Sequence, residues 1–206
     1  MTVFLYIILA ISGYLIGSMN SAILVSKLYK KDIRGEGSKN AGLTNTLRVL
    51  GTRAAVMVLI ADILKGVIAT GLGYIVIKNG LSGAICAGIF TIVGHIFPVF
   101  FNFKGGKGIL ISLSVLLMTD WRIALTGLGV FIVIVVLTRF VSLGSMIAVF
   151  LAPFLAWVFN HDIYFILAMA FLAALTIFMH RKNIKRLLSG TENKLSFKKK
   201  DKGGEK

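Results

Sequence analysis

The chain has 206 residues, 57% of them apolar and only 15% charged, with a mean hydropathy of +0.88; these proportions are far from those of a soluble domain and describe a membrane protein. A single cysteine, Cys86, and two prolines exclude a disulfide scaffold and a multi-cysteine zinc site, and His95, His161 and His180 lie far apart in the chain. The formal net charge of +15 falls between apolar runs that lipid would submerge, so membrane orientation and anionic headgroups explain it and no nucleic-acid partner is expected.

The first apolar run, Val3 to Val25, has 23 residues, roughly 35 Å of helix and enough to cross a hydrocarbon core. It lacks an amino-terminal basic region and a small-x-small cleavage site, so it reads as a retained span. Further runs follow at Ala54 to Ile77, Leu81 to Phe101, Gly108 to Met118, Ile123 to Leu137, Phe140 to Phe159 and Ile163 to Met179. The expectation is an all-α integral membrane protein with seven transmembrane helices, some of them short. Gly108 to Met118 is only about 16 Å as a helix, so residues 108–137 read either as two short spans joined by Thr119 to Arg122 or as a re-entrant hairpin. Seven spans are preferred, because a hairpin would place Asp120 and Arg122 deep in lipid.

With the amino terminus outside and the carboxyl terminus cytoplasmic, 20 of the 23 Lys and Arg lie inside, Lys78 and Arg122 lie outside, and Lys65 falls within a span. Residues 1–192 form one membrane-embedded domain, and 193–206, with Lys198, Lys199, Lys200 and Lys202, form a basic cytoplasmic tail attracted to anionic lipid. Asp62 and Lys65, three apart, are expected to pair within their helix. His95 is expected to brace the glycine loop that follows it, and Trp121 and Trp157 fit interfacial anchors.

Three polar stretches then share the cytoplasmic side. In the first, residues 32–48, Gly37, Ser38, Asn40, Thr44, Asn45 and Arg48 have the composition of an anion cradle: free backbone, short polar groups and one strong cation. A helix start near Thr44 would aim amides at its contents. In the second, Lys104, Gly105, Gly106, Lys107 and Gly108 read as a nest of amide donors beneath an ammonium. The Walker spacing is missing, because Gly108 stands where a magnesium-binding hydroxyl belongs, so nucleotide hydrolysis is not expected. In the third, His180 and Asn183 are three apart and share a helix face at the membrane exit. Each stretch read alone is also compatible with an ordinary basic loop. Together, without carboxylate pair or metal ligands, they suggest transfer chemistry driven by an already activated phosphate compound. A small anion transporter is the competing reading, but it would spread polar groups along several spans, whereas here they crowd one face.

The motifs Gly-Ser-x-Asn-x-Gly-x-Thr-Asn-x-x-Arg at 37–48, Gly94-His95-x-Phe97-Pro98 with Phe103-Lys104-Gly105-Gly106-Lys107-Gly108, and His180-x-x-Asn183-Ile184-x-Arg186-Leu187-x-x-Gly190-x-Glu192 resemble those of the bacterial membrane glycerol-3-phosphate acyltransferases that use acyl phosphate, the PlsY family. The resemblance runs from about Gly17 to Glu192; the family often has Gly where this chain has Lys39, which adds a charge to the loop. It implies a multi-pass enzyme of the cell membrane, needing neither metal nor other cofactor. That enzyme moves a fatty acyl group from long-chain acyl phosphate to the 1-hydroxyl of glycerol 3-phosphate, releasing lysophosphatidate and phosphate. Membrane lipids and the soluble enzyme that makes acyl phosphate are the further partners implied.

By motif position the resemblance makes Ser38, Arg48, Lys107, His180 and Asn183 active-site residues, with Ser142 and Ser145 as further phosphate contacts and Gly105, Gly106 and Gly108 as the backbone nest. Ser38 is expected to hydrogen-bond a phosphate rather than carry an acyl group, having no histidine at a recognisable local spacing. The base is either His180 or a phosphate oxygen of the donor, and direct attack with substrate assistance is preferred.

Overall fold

The computed structural model describes residues 1–78 and 80–195. Lys198 to Lys202 of the expected basic tail therefore lie outside the described residues. Asn193 to Leu195, placed in the tail by the sequence reading, still belong to the body: Asn193 lines the main cavity, Lys194 lies over the Phe140 ring, and the Leu195 amide donates to the Arg139 carbonyl at 2.8 Å.

The first apolar run is two helices, α1 (Thr2–Ser18) and α2 (Ser21–Leu28), broken at Met19 and Asn20. Asn20 makes the break, because its Oδ1 caps α2 by accepting from the Ile23 amide at 3.1 Å. Its amide reaches across to the His95 carbonyl at 3.4 Å. After a loop come α3 (Leu43–Leu50), α4 (Thr52–Val76) and α5 (Leu81–Ile96), the last followed by a 3₁₀ turn at Val99–Phe101. The remaining helices are α6 (Ile109–Thr119), α7 (Trp121–Thr138), α8 (Val141–Val158), α9 (Ile163–Met179) and α10 (Arg181–Leu188). Among the described residues five helical segments are long and apolar enough to cross a membrane, six if α9 and α10, bent by 57°, are taken together. With 11 residues, α6 is too short to pass that test alone. The protein is thus an all-helical integral membrane protein.

Small residues set the close packing of the first half of the bundle, as expected where lipid supplies no hydrophobic drive between helices. A Cβ added at Gly17 would lie 2.1 Å from the Thr91 carbonyl oxygen, and one at Gly94 would lie 2.1 Å from that of Tyr14, so α1 and α5 touch backbone to backbone. Gly94→Ala is expected to cost about 1–3 kcal/mol through overpacking, read as a lower thermal midpoint in detergent; an unchanged midpoint would show that α1 can shift away freely. Between α4 and the α1–α2 break, Lys65 Nζ lies 2.9 Å from Asp62 Oδ1 and donates to the Met19 carbonyl at 3.1 Å. The expected intrahelical pair thus also ties α4 to the break.

At the turn between α6 and α7, Asp120 caps α7, accepting from the Arg122 amide at 2.8 Å, and pairs with Arg122 at 2.6 Å and with His161 Nε2 at 2.7 Å. This pairing joins the α6–α7 turn to the α8–α9 turn. The main apolar core lies between these joins, built from Ile92, Ile96, Ile111, Val115, Ile123 and Phe165 with their neighbours on α8 and α9. A cavity remains beside it, lined by α6, α7, α8 and α9 together with Leu59 and Asp62 of α4 and Ile92 and His95 of α5.

Candidate active site

The cavity holds about 400 Å³. Its walls deeper in the bundle are apolar, contributed by Leu113, Leu116, Ile123, Ala152, Met169 and Leu172. Its mouth is polar, where the three predicted stretches converge. Ser38, Asn40, Thr44, Asn45 and Arg48 come from the first stretch, Lys107 and Gly108 from the second, and His180 and Asn183 from the third, with Ser142 and Ser145 from the start of α8.

Asn45 organises the first stretch. Its Oδ1 accepts from the Ser38 amide at 2.8 Å, and its amide donates to the Ile33 and Glu36 carbonyls at 3.0 Å each. With those groups engaged, Asn45 shapes the loop and is not available as a phosphate donor. Gly37 acts in the same way and does not line the cavity. Its φ is +60°, and a Cβ there would lie 2.4 Å from Asn45 Oδ1. Lys39 has a φ of 60°, a left-handed conformation that costs little only for glycine. A glycine would hold that conformation at no steric cost.

The glycine loop departs from the expected nest. The Gly105 amide donates to the Ile96 carbonyl and the Gly106 amide to the His95 carbonyl, both at 3.1 Å. These glycines spend their amides on the end of α5 and do not line the cavity. Their smallness is used for contact: a Cβ on Gly105 would lie 2.0 Å from the His95 oxygen, and one on Gly106 would lie 2.2 Å from His95 Nε2. His95 therefore does brace this loop, by its backbone and by ring contact. Lys104 is exposed and outside the cavity lining. Gly108, at φ +81°, precedes α6, and the first-turn amides of that helix, which no helix can satisfy internally, begin at the mouth.

Lys107 donates from Nζ to Asn183 Oδ1. Burial pushes its ammonium down to about 8, Glu192 opposes that shift, and Arg186 adds to it. His180, buried at the end of α9, has Nδ1 2.8 Å from the Thr176 carbonyl. A carbonyl only accepts, so Nδ1 carries the hydrogen and Nε2 holds the lone pair. Burial, with the nearby Lys107 charge, pushes His180 down to about 4 against the Thr176 bond and Glu192, so the ring is neutral near pH 7.

A residue given no role in the sequence reading joins this part of the site. Glu192 accepts from Ser142 Oγ at 2.9 Å, from the Asn183 amide at 2.7 Å and from Arg186 Nε at 2.7 Å. Its burial would raise the carboxyl, but the bonds from Arg186, Asn183 and Ser142 outweigh that and hold it ionised below its usual value. Ser142 thus serves Glu192, and Ser145 Oγ donates to the Val141 carbonyl at 2.9 Å. The available signal was a lone acid in a strongly basic segment, just past Gly190, whose φ of 69° turns the chain back after α10.

A second cavity of about 160 Å³ opens beside the first and shares Ser38, Asn40, Lys107 and Asn183 with it. Lys39, Arg181, Lys182 and Arg186 complete its basic wall. The sequence reading placed none of these four among the site residues. The two cavities, the larger with apolar as well as polar walls, therefore meet at Lys107 and Asn183.

The glycerol-3-phosphate acyltransferase family model matches residues 7–190. The glycerol-3-phosphate acyltransferase of Thermoanaerobacter pseudethanolicus is 45% identical over 193 residues, covering 93% of this chain and 96% of its own. That of Bacillus subtilis is 41% identical over 191 residues, covering 92% and 97%. Among solved structures, PlsY, an integral membrane glycerol 3-phosphate acyltransferase, superposes in its glycerol 3-phosphate form with a TM-score of 0.86 at 35% identity, covering 93% of this chain and 96% of that one. Its lysophosphatidic acid form gives 0.83 at 34% identity. With a family match across almost its whole length and relatives 41–45% identical, this chain belongs to the PlsY family of membrane glycerol-3-phosphate acyltransferases.

Proposed function

We propose that the protein transfers a fatty acyl group from long-chain acyl phosphate to the 1-hydroxyl of glycerol 3-phosphate, without a metal ion, at the cytoplasmic face of the cell membrane. The observation that carries this reading is the pair of cavities meeting at Ser38, Asn40, Lys107 and Asn183. The larger has an apolar channel for a chain and a cationic mouth for its phosphate, and the smaller is a basic recess of the size of a glycerol phosphate. Relatives named glycerol-3-phosphate acyltransferase, and PlsY structures in glycerol 3-phosphate and lysophosphatidic acid forms, support the acceptor and the product. The distribution of Lys and Arg supports an amino terminus outside and a carboxyl terminus inside, and Asp120 and Arg122 at the α6–α7 turn, which lipid would not accept at depth, favour seven crossings with α6 a short one. Residues 1–192 form the catalytic body, and the enzyme that supplies acyl phosphate meets it from the cytoplasm.

In the reaction the 1-hydroxyl oxygen bonds to the acyl carbonyl carbon, the bond from that carbon to the phosphate oxygen breaks, and the hydroxyl proton passes to the departing phosphate. Lys107 and Arg48 supply the positive charge over the two phosphates. Ser38 donates to a phosphate oxygen, and neutral His180 accepts at Nε2 and orients the hydroxyl. Asn183 holds Lys107 in place.

The reading makes a pH prediction. Lys107 binds as its ammonium, and because its value is lowered to about 8 the cation is complete below that pH and lost above it. kcat/KM, which reports free-enzyme groups, should therefore fall above pH 8, and Lys107→Arg should remove that limb. A flat profile to pH 9.5 would separate Lys107 from catalysis. The donor is tested by offering purified enzyme glycerol 3-phosphate with either acyl phosphate or an acyl thioester: lysophosphatidate is expected from acyl phosphate alone, and product from the thioester alone would overturn the donor assignment.

A further inference from the structure

Ser and Thr hydroxyls inside helices usually bond back to a carbonyl one turn earlier, and this protein follows that habit repeatedly. Ser26, Thr91, Ser114, Thr119, Thr138 and Ser145 all donate to a carbonyl three or four residues before them, at 2.7–3.0 Å. Ser112 on α6 and Thr176 on α9 do not. Their exposures are 8% and 1%, and among the described residues neither hydroxyl has a hydrogen-bond partner. Both residues line the main cavity, their hydroxyl oxygens lying just beneath its surface. A third such hydroxyl, Thr70, lies outside that lining and serves as a comparison.

Their place along the cavity gives the orphaned hydroxyls a use. Ser112 follows Gly108 by four residues and Thr176 precedes His180 by four, so each shares a helix face with a group at the polar mouth and sits one turn deeper. Deeper still, the walls are Leu113, Leu116, Met169 and Leu172. The two hydroxyls therefore mark the level at which the cavity changes from polar to apolar. An activated fatty acyl donor changes from polar to apolar at one group, its carbonyl.

We propose that Ser112 and Thr176 donate hydrogen bonds to the carbonyl oxygen of the acyl donor and stabilise the negative charge that gathers there as the glycerol oxygen attacks. The inference rests on the acyl-transfer reading of the site but not on the choice of donor, since phosphate and thioester donors both carry this carbonyl. Both hydroxyls keep their protons throughout: the new ester C–O bond forms, the bond to the leaving group breaks, and the glycerol hydroxyl proton leaves with that group. Thr176 contributes twice to one reaction centre, its backbone carbonyl fixing the His180 tautomer and its hydroxyl reaching the substrate carbonyl by a turn about its Cα–Cβ bond.

The test is steady-state kinetics of purified Ser112→Ala, Thr176→Val and Thr70→Val with glycerol 3-phosphate and each donor class, beside Ser112→Thr and Thr176→Ser. Each cavity variant is expected to lower kcat by about 10²- to 10³-fold, as lost oxyanion donors do, with KM for glycerol 3-phosphate within about threefold of wild type. The hydroxyl-bearing swaps should recover most of the rate, and Thr70→Val should leave it unchanged. A Ser112→Ala/Thr176→Val double variant within twofold of wild-type kcat would overturn the inference, as would a loss that neither hydroxyl-bearing swap restores. Wild-type turnover with the thioester only would remove acyl phosphate as donor while leaving this assignment to be read on the thioester; turnover with neither would remove both.

Discussion

Lys107→Ala is expected to lower turnover about 10³-fold, the upper range for loss of one charge-stabilising donor, with folding intact. Lys107 stands where the two cavities meet, is largely buried, and has as its close partner the neutral Asn183. A buried ammonium facing a neutral amide is electrostatically unfinished, and a phosphate would complete it. The truncation should therefore relieve desolvation in the empty enzyme, so the thermal midpoint should hold or rise while activity disappears. Lys107→Arg should recover only part of the rate, because a planar fork does not present its charge as a compact ammonium does. Near-normal turnover in Lys107→Ala would take the residue out of the site.

Glu192→Ala should show the opposite pattern, with stability and activity falling together. Its carboxylate joins Ser142 of α8, Asn183 and Arg186 of α10, and the chain beyond Gly190. Removal strands three donors, one of them charged, at a cost of about 2–4 kcal/mol, seen as a lower thermal midpoint and a reduced yield of monodisperse protein. Asn183 then loses the bond that orients it toward Lys107, so the surviving folded fraction should also turn over slowly. Glu192→Gln, which keeps one acceptor oxygen, should fall between the two. A variant as stable as wild type but inactive would instead place Glu192 in contact with substrate.

Much of the architecture was readable because lipid imposes a simple rule: a segment that crosses must be apolar and long. The runs from Ala54 onward correspond closely to α4 through α9. The rule is silent where the backbone breaks inside an apolar run. Asn20 interrupts Val3 to Val25 by capping a new helix, an act of one side chain that window-averaged hydropathy hides. The polar stretches were readable as the candidate site, and residues of all three line one cavity. Division of labour within them was not readable. Gly105, Gly106, Gly37 and Asn45 look like ligands in one dimension, whereas in the fold they make hydrogen bonds or close contacts within the protein. Glu192, Ser112 and Thr176 acquire their meaning from partners, or from lacking them, across helices far apart in sequence.

The central claim, direct transfer between two phosphorylated reactants held by protein cations alone, is tested by measuring lysophosphatidate and free phosphate in the same quenched samples, with chelator present and glycerol 3-phosphate either supplied or withheld. The account predicts equal amounts of both products from the earliest time point, and neither when the acceptor is withheld. A burst of phosphate with acylated Ser38 in the absence of acceptor, or product that forms only once a divalent cation is restored, would contradict it.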